Sequence, residues 1–188
     1  MEEVVEYGQR QLIPCRVELA SPEIDWEKSW RLARLPGLGP ELTSFIFKLL
    51  HQVLPTQERV ARTSPVVAPT CKSPSCTGGH IEDLQHALIH CCGNNGVGVR
   101  LVELAQVLAP GVGVDRLLHL DVVVEEDDEF ACVWWLAAGL MAIWNLRKSG
   151  KKVEQYLVRA QLEAKINLLR ETKYVKAVSN LDCLLTDM

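Results

Sequence analysis

The segment from Cys71 to Cys92, CKSPSCTGGHIEDLQHALIHCC, constrains this chain more than any other. It holds four of the seven cysteines and three of the five histidines. Two cysteines bracket a Lys-Ser-Pro-Ser loop, a Gly-Gly turn follows, and a predicted short helix carries His86 and leads to Cys91. A loop pair of thiolates with an imidazole and a thiolate from a helix is typical of a closed tetrahedral zinc site. The segment therefore predicts a bound Zn²⁺.

Four residues are the predicted ligands, in a C-x4-C-x9-H-x4-C pattern: Cys71, Cys76, His86 and Cys91. His86 and Cys91 are five residues apart and converge only if the helix unwinds near position 90, which the following Gly-Asn-Asn-Gly run favours. Three alternative donors remain open, namely His80, His90 and Cys92. The alternative without a metal is that the cysteines are small buried hydrophobic residues.

Length and composition indicate one intracellular domain. The 188 residues suit a single compact core, and 48% hydrophobic with 23% charged residues is ordinary for a globular protein. An odd number of crowded cysteines and an acidic N-terminus without a signal peptide favour a reducing compartment, cytoplasmic or nuclear. The longest apolar run, 130–144, is shorter than the roughly 20 residues that span a bilayer, so a buried helix and no membrane contact are expected.

Charge is distributed unevenly along the chain. The formal net charge is −4, which argues against binding of nucleic acid by bulk charge alone. Residues 115–129 carry seven acidic side chains and one basic, whereas residues 147–176 carry nine basic and three acidic. The C-terminal third is therefore locally basic. Its basic residues have two interpretations, a solvated helix face or a phosphate-contacting surface.

The apolar periodicity predicts a mainly α fold. We expect an extended N-terminal arm over residues 1–24 and a single compact helical domain over 25–188, with the zinc-binding motif at 71–92. Predicted helices cover about 25–33, 41–53, one or two turns after Thr56, 97–108, a short turn at 115–118, 127–148 and 152–172. The last two, joined at Ser149-Gly150, are expected to form a C-terminal antiparallel hairpin.

The first and the last predicted helices each carry apolar residues along one face. Trp26 and Trp30 lie four residues apart on one face of the first helix, and a core role is favoured over a stacking platform. The final predicted helix carries Val153, Leu157, Ala160, Ala164 and Leu168 along one face.

The order of these features resembles a known region of mobile-element proteins. WEKSWRL, a proline-glycine turn, FIFKLLHQVLPTQERVAR, and then Cys…Cys…EDLQHALIHC are similar to the zinc-binding region that follows the reverse transcriptase domain in non-LTR (LINE-type) retrotransposon proteins. The matching positions are Leu54-Pro55-Thr56, Cys71, Cys76 and Glu82 with His86 and Cys91. The resemblance covers residues 12–185. The family's first pair is usually C-x2-C, so the C-x4-C spacing is a departure.

The resemblance implies a nucleic-acid-binding accessory domain, either a fragment or a host-adopted descendant. The zinc would shape the region from Arg59 to Lys72, and basic side chains would contact RNA or DNA. The predicted contact residues are Arg59, Arg62, Lys72, Arg147, Lys148, Lys151, Lys152 and Arg159. The alternative is a protein–protein interaction module with structural zinc, in which the C-terminal helices form a homodimer.

Catalytic chemistry is not expected. The two-metal chemistry of a polymerase requires an aspartate pair in a strand hairpin, and the adjacent Asp127 and Asp128 lie instead at an acidic helix start. No third group supports Cys-His catalysis. We therefore predict no enzyme and no small-molecule substrate. A redox switch through Cys91 and Cys92 is a weaker alternative.

Overall fold

The computed structural model describes residues 22–122, 126–171 and 174–188, and within these ranges the protein forms helices and no strand. The mainly α fold is therefore confirmed. Most of the predicted N-terminal arm, residues 1–21, lies outside the described residues. The α-helices are α1 (Trp26–Leu32), α2 (Gly39–Leu50), α3 (Gln57–Thr63), α4 (Val97–Leu108), α5 (Val114–Leu118), α6 (Glu126–Lys148), α7 (Gln155–Leu169) and α8 (Val175–Asp187).

Capping residues place three of the helix ends where the sequence predicts them. The Asp25 carboxylate accepts from the amide of Lys28 at 3.0 Å, and the Thr56 hydroxyl accepts from the amide of Arg59 at 3.4 Å. At the end of α6, Gly150 adopts φ of +69°. The amide of Lys151 then donates to the Leu146 carbonyl at 2.9 Å, which satisfies a carbonyl of the last turn.

Helix α6 is the centre of the domain. From Phe130 to Ile143 its side chains are buried on every side, and α2, α4, α7 and α8 all pack against it. The indole of Trp135, fully buried, donates to the Leu101 carbonyl of α4 at 3.1 Å. By length and composition, the part of α6 from Asp128 to Lys148 is apolar enough to cross a membrane. However, 89% of its apolar 18-residue stretch is buried inside the domain, as in a core helix.

The C-terminal region contains one helix more than predicted. Helices α6 and α7 pack against each other across the turn at Gly150, as expected for a hairpin, and α8 packs against both. The second predicted helix was therefore too long, since α7 begins at Gln155 and ends at Leu169. The separate helix α8 completes the cover of α6.

The buried face of α7 differs from the apolar face that the sequence periodicity picks out. The buried side chains of α7 are Val158, Leu162, Ile166 and Leu169. Ala160 and Ala164 are exposed, Leu157 is only partly buried, and Leu168 is 74% exposed. Helix α7 carries two apolar stripes, and periodicity does not tell which of them faces α6. Val153 is buried, although it precedes the helix.

The tryptophan pair packs against the core, as predicted. The rings of Trp26 and Trp30 lie 6.3 Å apart and are partly buried against the core cluster. Trp30 also lies 4.9 Å from the ring of His51, and Trp26 lies 5.2 Å from that of His119. The pair thus fixes α1 onto the rest of the domain.

Candidate metal centre

Four cysteine and histidine side chains from the segment 71–91 converge on one point. The ligand atoms of Cys71, Cys76, His86 and Cys91 all lie within 4.8 Å of one another. These are the four residues chosen from the spacing of the sequence. The other candidate donors, His80, His90 and Cys92, are exposed and stand outside the cluster. Nevertheless His80 stacks on His86 with ring centroids 5.4 Å apart, and so covers one side of the ligand ring.

A π-helical turn, His86–His90, brings His86 and Cys91 together. In this turn the amide of Cys91 donates to the carbonyl of His86 at 2.8 Å, so the ring of the turn is one residue wider than in an α-helix. The chain becomes extended at Cys91. The predicted unwinding near position 90 is therefore preceded by a widened turn, and both changes aim the imidazole and the thiol at the same point.

A pair of short chain segments carries the other two ligands. Thr70 and Ile81 form an antiparallel bridge, and the amide of Cys71 donates to the carbonyl of His80 at 2.9 Å. Between them the amide of Cys76 donates to the Ser73 carbonyl at 2.9 Å, which closes a turn. This turn accommodates the four residues between the two cysteines and directs Cys76 inward.

The distances fit a tetrahedral ion. The sulfurs of Cys71 and Cys91 are 3.6 Å apart, and the sulfur of Cys76 is 3.4 Å from Nε2 of His86. An ion bonded tetrahedrally at about 2.3 Å to sulfur and about 2.0 Å to nitrogen separates two sulfurs by about 3.8 Å and sulfur from nitrogen by about 3.5 Å. A disulfide would need sulfurs about 2.05 Å apart. The cluster can therefore hold a metal ion and is not a disulfide.

The environment perturbs each of these ligands. Burial raises the pKa of the Cys71 thiol to about 12, and burial also raises the pKa of Cys76. Burial opposes ionisation of Cys91 as well, yet the neighbouring Arg147 guanidinium and the Gly93 amide favour the thiolate and lower the pKa of Cys91. Burial lowers the pKa of His86, which favours the neutral ring that coordinates metals. A divalent cation would supply the positive charge that keeps the thiolates ionised.

Arg147 lies inside this site. Its guanidinium donates to Oε2 of Glu82 at 2.6 Å, to Oδ1 of Asn94 at 3.2 Å and to the sulfur of Cys71 at 3.7 Å. The side chains of Arg147 and Glu82 are only 14% and 8% exposed. Arg147 was predicted as a phosphate contact, and the structure instead commits it to the ligand cluster. The sequence signal that could have found this role is the position of Arg147 in the last turn of the most apolar helix.

The other predicted nucleic-acid contacts remain on the surface. Six of the predicted contact residues are exposed and form no ion pair among the described residues: Arg59, Lys72, Lys148, Lys151, Lys152 and Arg159. Arg62 is exposed but paired with Glu58. Arg59 and Arg62 line a cleft of about 270 Å³ together with Asp83, Asp115 and His119, so this cleft has mixed charge.

Thiol reactivity should separate the six cysteines of the described residues into three groups. Cys92 and Cys183 are exposed and should be alkylated in the folded protein, because the accessible thiolate is the reactive species. Cys132 should react only after unfolding, since burial and, to a smaller extent, Asp128 raise its pKa to about 12. Cys71, Cys76 and Cys91 should be protected until a chelator is added. Peptide mapping after brief treatment with N-ethylmaleimide measures this order, and labelling of Cys76 before Cys92 without chelator would contradict it.

The comparisons with known proteins give no relative. No protein-family model matches the chain, and no curated protein or solved structure matches it either. The resemblance to the retrotransposon region therefore remains a prediction from the motifs.

Proposed function

We propose that the protein is a nucleic-acid-binding module stabilised by Zn²⁺ bound to Cys71, Cys76, His86 and Cys91. Three thiolates and one neutral imidazole form a donor set that favours zinc over the oxygen-seeking cations Mg²⁺ and Ca²⁺. Four protein ligands fill a tetrahedron, so the ion would have a structural role. Such a site contributes its binding free energy directly to folding.

One observation carries the nucleic-acid part of this proposal. Four exposed lysines border the metal-binding loop, and we call them the lysine rim: Lys72, Lys148, Lys151 and Lys152. Lys72 and Lys148 follow Cys71 and Arg147, whose side chains are 3.7 Å apart. Lys152 precedes Val153, whose carbonyl accepts from the side-chain Nδ2 of Asn95 at 3.0 Å. Lysines that are distant in the sequence of an acidic chain thus lie near the metal-binding loop. Such a local concentration of positive charge is what a phosphate-binding surface requires.

Charge reversal of the lysine rim tests the proposal. We expect Lys151→Glu/Lys152→Glu to weaken binding of zinc-loaded protein to RNA or DNA and to reduce the salt dependence by about two units on a log-log plot, because about one unit is lost for each phosphate contact. Fluorescence anisotropy with single- and double-stranded RNA and DNA at several salt concentrations measures both effects.

A matched control carries the same change of charge elsewhere. Arg34→Glu/Lys48→Glu replaces two exposed basic residues outside the lysine rim and should bind more tightly than the rim variant. Equal losses in both variants would indicate that only net charge matters. No binding by the zinc-loaded wild-type protein at micromolar concentration would reject the nucleic-acid function.

A protein-interaction module is the second candidate, and the outer face of α7 favours it. Tyr156, Ala160, Ala164 and Leu168 form an exposed stripe at four-residue spacing, with Tyr156 68% and Leu168 74% exposed. Such a stripe can pair two helices. Sedimentation velocity that shows a concentration-dependent dimer, lost in Leu168→Glu, together with no nucleic-acid binding, would favour this candidate.

A further inference from the structure

Arg147 contacts the ligand cluster from the end of the central helix. It forms an ion pair with Glu82 at 2.6 Å and reaches the sulfur of Cys71 at 3.7 Å with the same nitrogen, Nη2. Its other terminal nitrogen donates to Oδ1 of Asn94 at 3.2 Å. Asn94 is fully buried, and its Nδ2 donates to the carbonyl of Ala87 in the π-helical turn at 2.9 Å. The guanidinium therefore contacts one predicted ligand, Cys71, directly. Through Asn94 it is also connected to the π-helical turn, which positions His86.

The charges around the site require a cation in this place. Three thiolates around one divalent ion leave a net negative charge, and the carboxylate of Glu82 adds another beside it. Both are largely buried, and buried charges of like sign are costly unless they are paired. Among the described residues, Arg147 is the basic side chain that contacts both Cys71 and Glu82. Its planar fork can serve several acceptors at once, which an ammonium group does less well.

Glu82 has a second attachment that fixes the guanidinium. Its Oε1 accepts from the amide of Gln57 at 3.2 Å, and its backbone carbonyl accepts from the amide of Glu58 at 3.2 Å. The carboxylate is thereby held at the start of α3, where the helix dipole favours a negative charge. Glu82 therefore links the start of α3 to Arg147 at the end of α6.

We propose that Arg147 is a positioning residue of the metal centre, which offsets the negative charge of the thiolates and holds Cys71 in place through its guanidinium. Glu82 orients the guanidinium and draws part of its charge away from the sulfurs. This inference rests on the metal site proposed above. It assigns to residue 147 control over both the metal affinity and the reactivity of the thiolates.

Substitution of Arg147 tests the proposal. We expect Arg147→Met to bind zinc about 10–100-fold more weakly, as is typical for groups that contact metal ligands. The Co²⁺-loaded variant should keep the absorption spectrum of three sulfur ligands and one nitrogen. Alkylation of Cys71 in the zinc-loaded variant should be faster, because a thiolate that loses a hydrogen bond becomes more nucleophilic. Arg147→Lys should recover part of the affinity, since it keeps the charge without the fork. Competition with a chromogenic chelator measures the affinity.

Arg31→Met is the matched control. Arg31 forms an ion pair with the largely buried Glu129 at 3.0 Å, far from the ligands in the chain. Its loss should change the stability of the domain and leave zinc affinity and the alkylation rate of Cys71 unchanged. Wild-type affinity and alkylation rate in Arg147→Met would overturn the inference about Arg147. A wild-type protein that holds no zinc would instead overturn the site itself.

Glu82→Gln decides the matter if Arg147→Met does not fold. A neutral amide at position 82 leaves the positive charge of Arg147 to the sulfurs alone. We therefore expect zinc affinity equal to or tighter than wild type, together with slower alkylation of Cys71. Weaker zinc binding with faster alkylation in Glu82→Gln would show that the pair acts only as a structural unit, and would overturn the inference.

Discussion

Cys91→Ser is expected to abolish stoichiometric zinc binding and to unfold the part of the metal-binding segment that precedes the π-helical turn, residues 69–85, while the central helices remain. Structural zinc sites of this type bind with about 10–16 kcal/mol of apparent free energy, which is large beside the net stability of a domain. A serine hydroxyl is a poor replacement for a thiolate. The same local unfolding should follow treatment of the wild-type protein with a strong chelator.

The expected unfolding is local because of where the hydrogen bonds lie. Before the π-helical turn, the metal-binding segment has one isolated bridge, Thr70 with Ile81, and a few turn hydrogen bonds. Such a segment opens easily without its cross-link. Helices α4 and α6, in contrast, share a continuous buried core with α2 and α8. Hydrogen exchange by mass spectrometry should therefore show lost protection in 69–85 and retained protection in α4 and α6.

Cys92→Ser provides the control. Cys92 follows Cys91 directly but is exposed and lies outside the ligand cluster. It should bind one equivalent of zinc and exchange like the wild-type protein. Equal zinc content in Cys91→Ser and Cys92→Ser would contradict the ligand assignment. It would also be contradicted if the wild-type protein, stripped of metal by the chelator, exchanged hydrogen like the zinc-loaded protein.

Gly98→Ala should destabilise the domain and weaken zinc binding although it touches no ligand. A Cβ at Gly98 would lie 2.2 Å from the carbonyl oxygen of Leu88 and 2.6 Å from Cα of Ile89. These are backbone atoms of the π-helical turn, so α4 or the turn must move. Overpacking of this kind typically costs about 1–3 kcal/mol, and we expect a value near the upper end. Denaturant unfolding of the zinc-loaded protein measures the loss.

Gly139→Ala separates this effect from helix propensity. Gly139 also lies inside a helix, and its Cβ would meet the side chain of Leu101 at 2.7 Å. A side chain can move, and alanine is favoured over glycine in a helix by about 1 kcal/mol. Gly139→Ala should therefore cost less than Gly98→Ala and leave zinc affinity unchanged. If Gly98→Ala were the more stable of the two, the close contact between α4 and the π-helical turn would be refuted.

The sequence predicts the features that depend on local chemistry. Aspartate and threonine are favoured at the N-cap of a helix, and Asp25 and Thr56 each cap a helix here. The two cysteines around a proline-containing loop and the two donors before a glycine run were enough to select the four clustered residues. The position of α4 follows from its apolar periodicity and matches the predicted 97–108.

Other features depend on packing between distant parts of the chain, which a single sequence does not reveal. Val158 and Leu157 are equally apolar neighbours, and only contact with α6 decides that Val158 is buried. Arg147 looks like any basic residue at a helix end until Glu82, 65 residues earlier, is placed beside it. The phosphate-contact prediction for Arg147 relied on local charge alone, and local charge does not show burial.

The π-helical turn makes the number of residues between His86 and Cys91 a fixed quantity. Each residue of a helix advances the chain by about 100° around its axis. Deleting one residue from this turn would restore ordinary α-helical spacing and swing the thiol of Cys91 away from its three partners, and inserting one would swing it the other way. The intervening Ala87, Leu88 and Ile89 are buried, so exchanges that conserve volume are tolerable there. Among homologues of this chain, we therefore expect the residue types between His86 and Cys91 to vary while the number of residues between them stays at four.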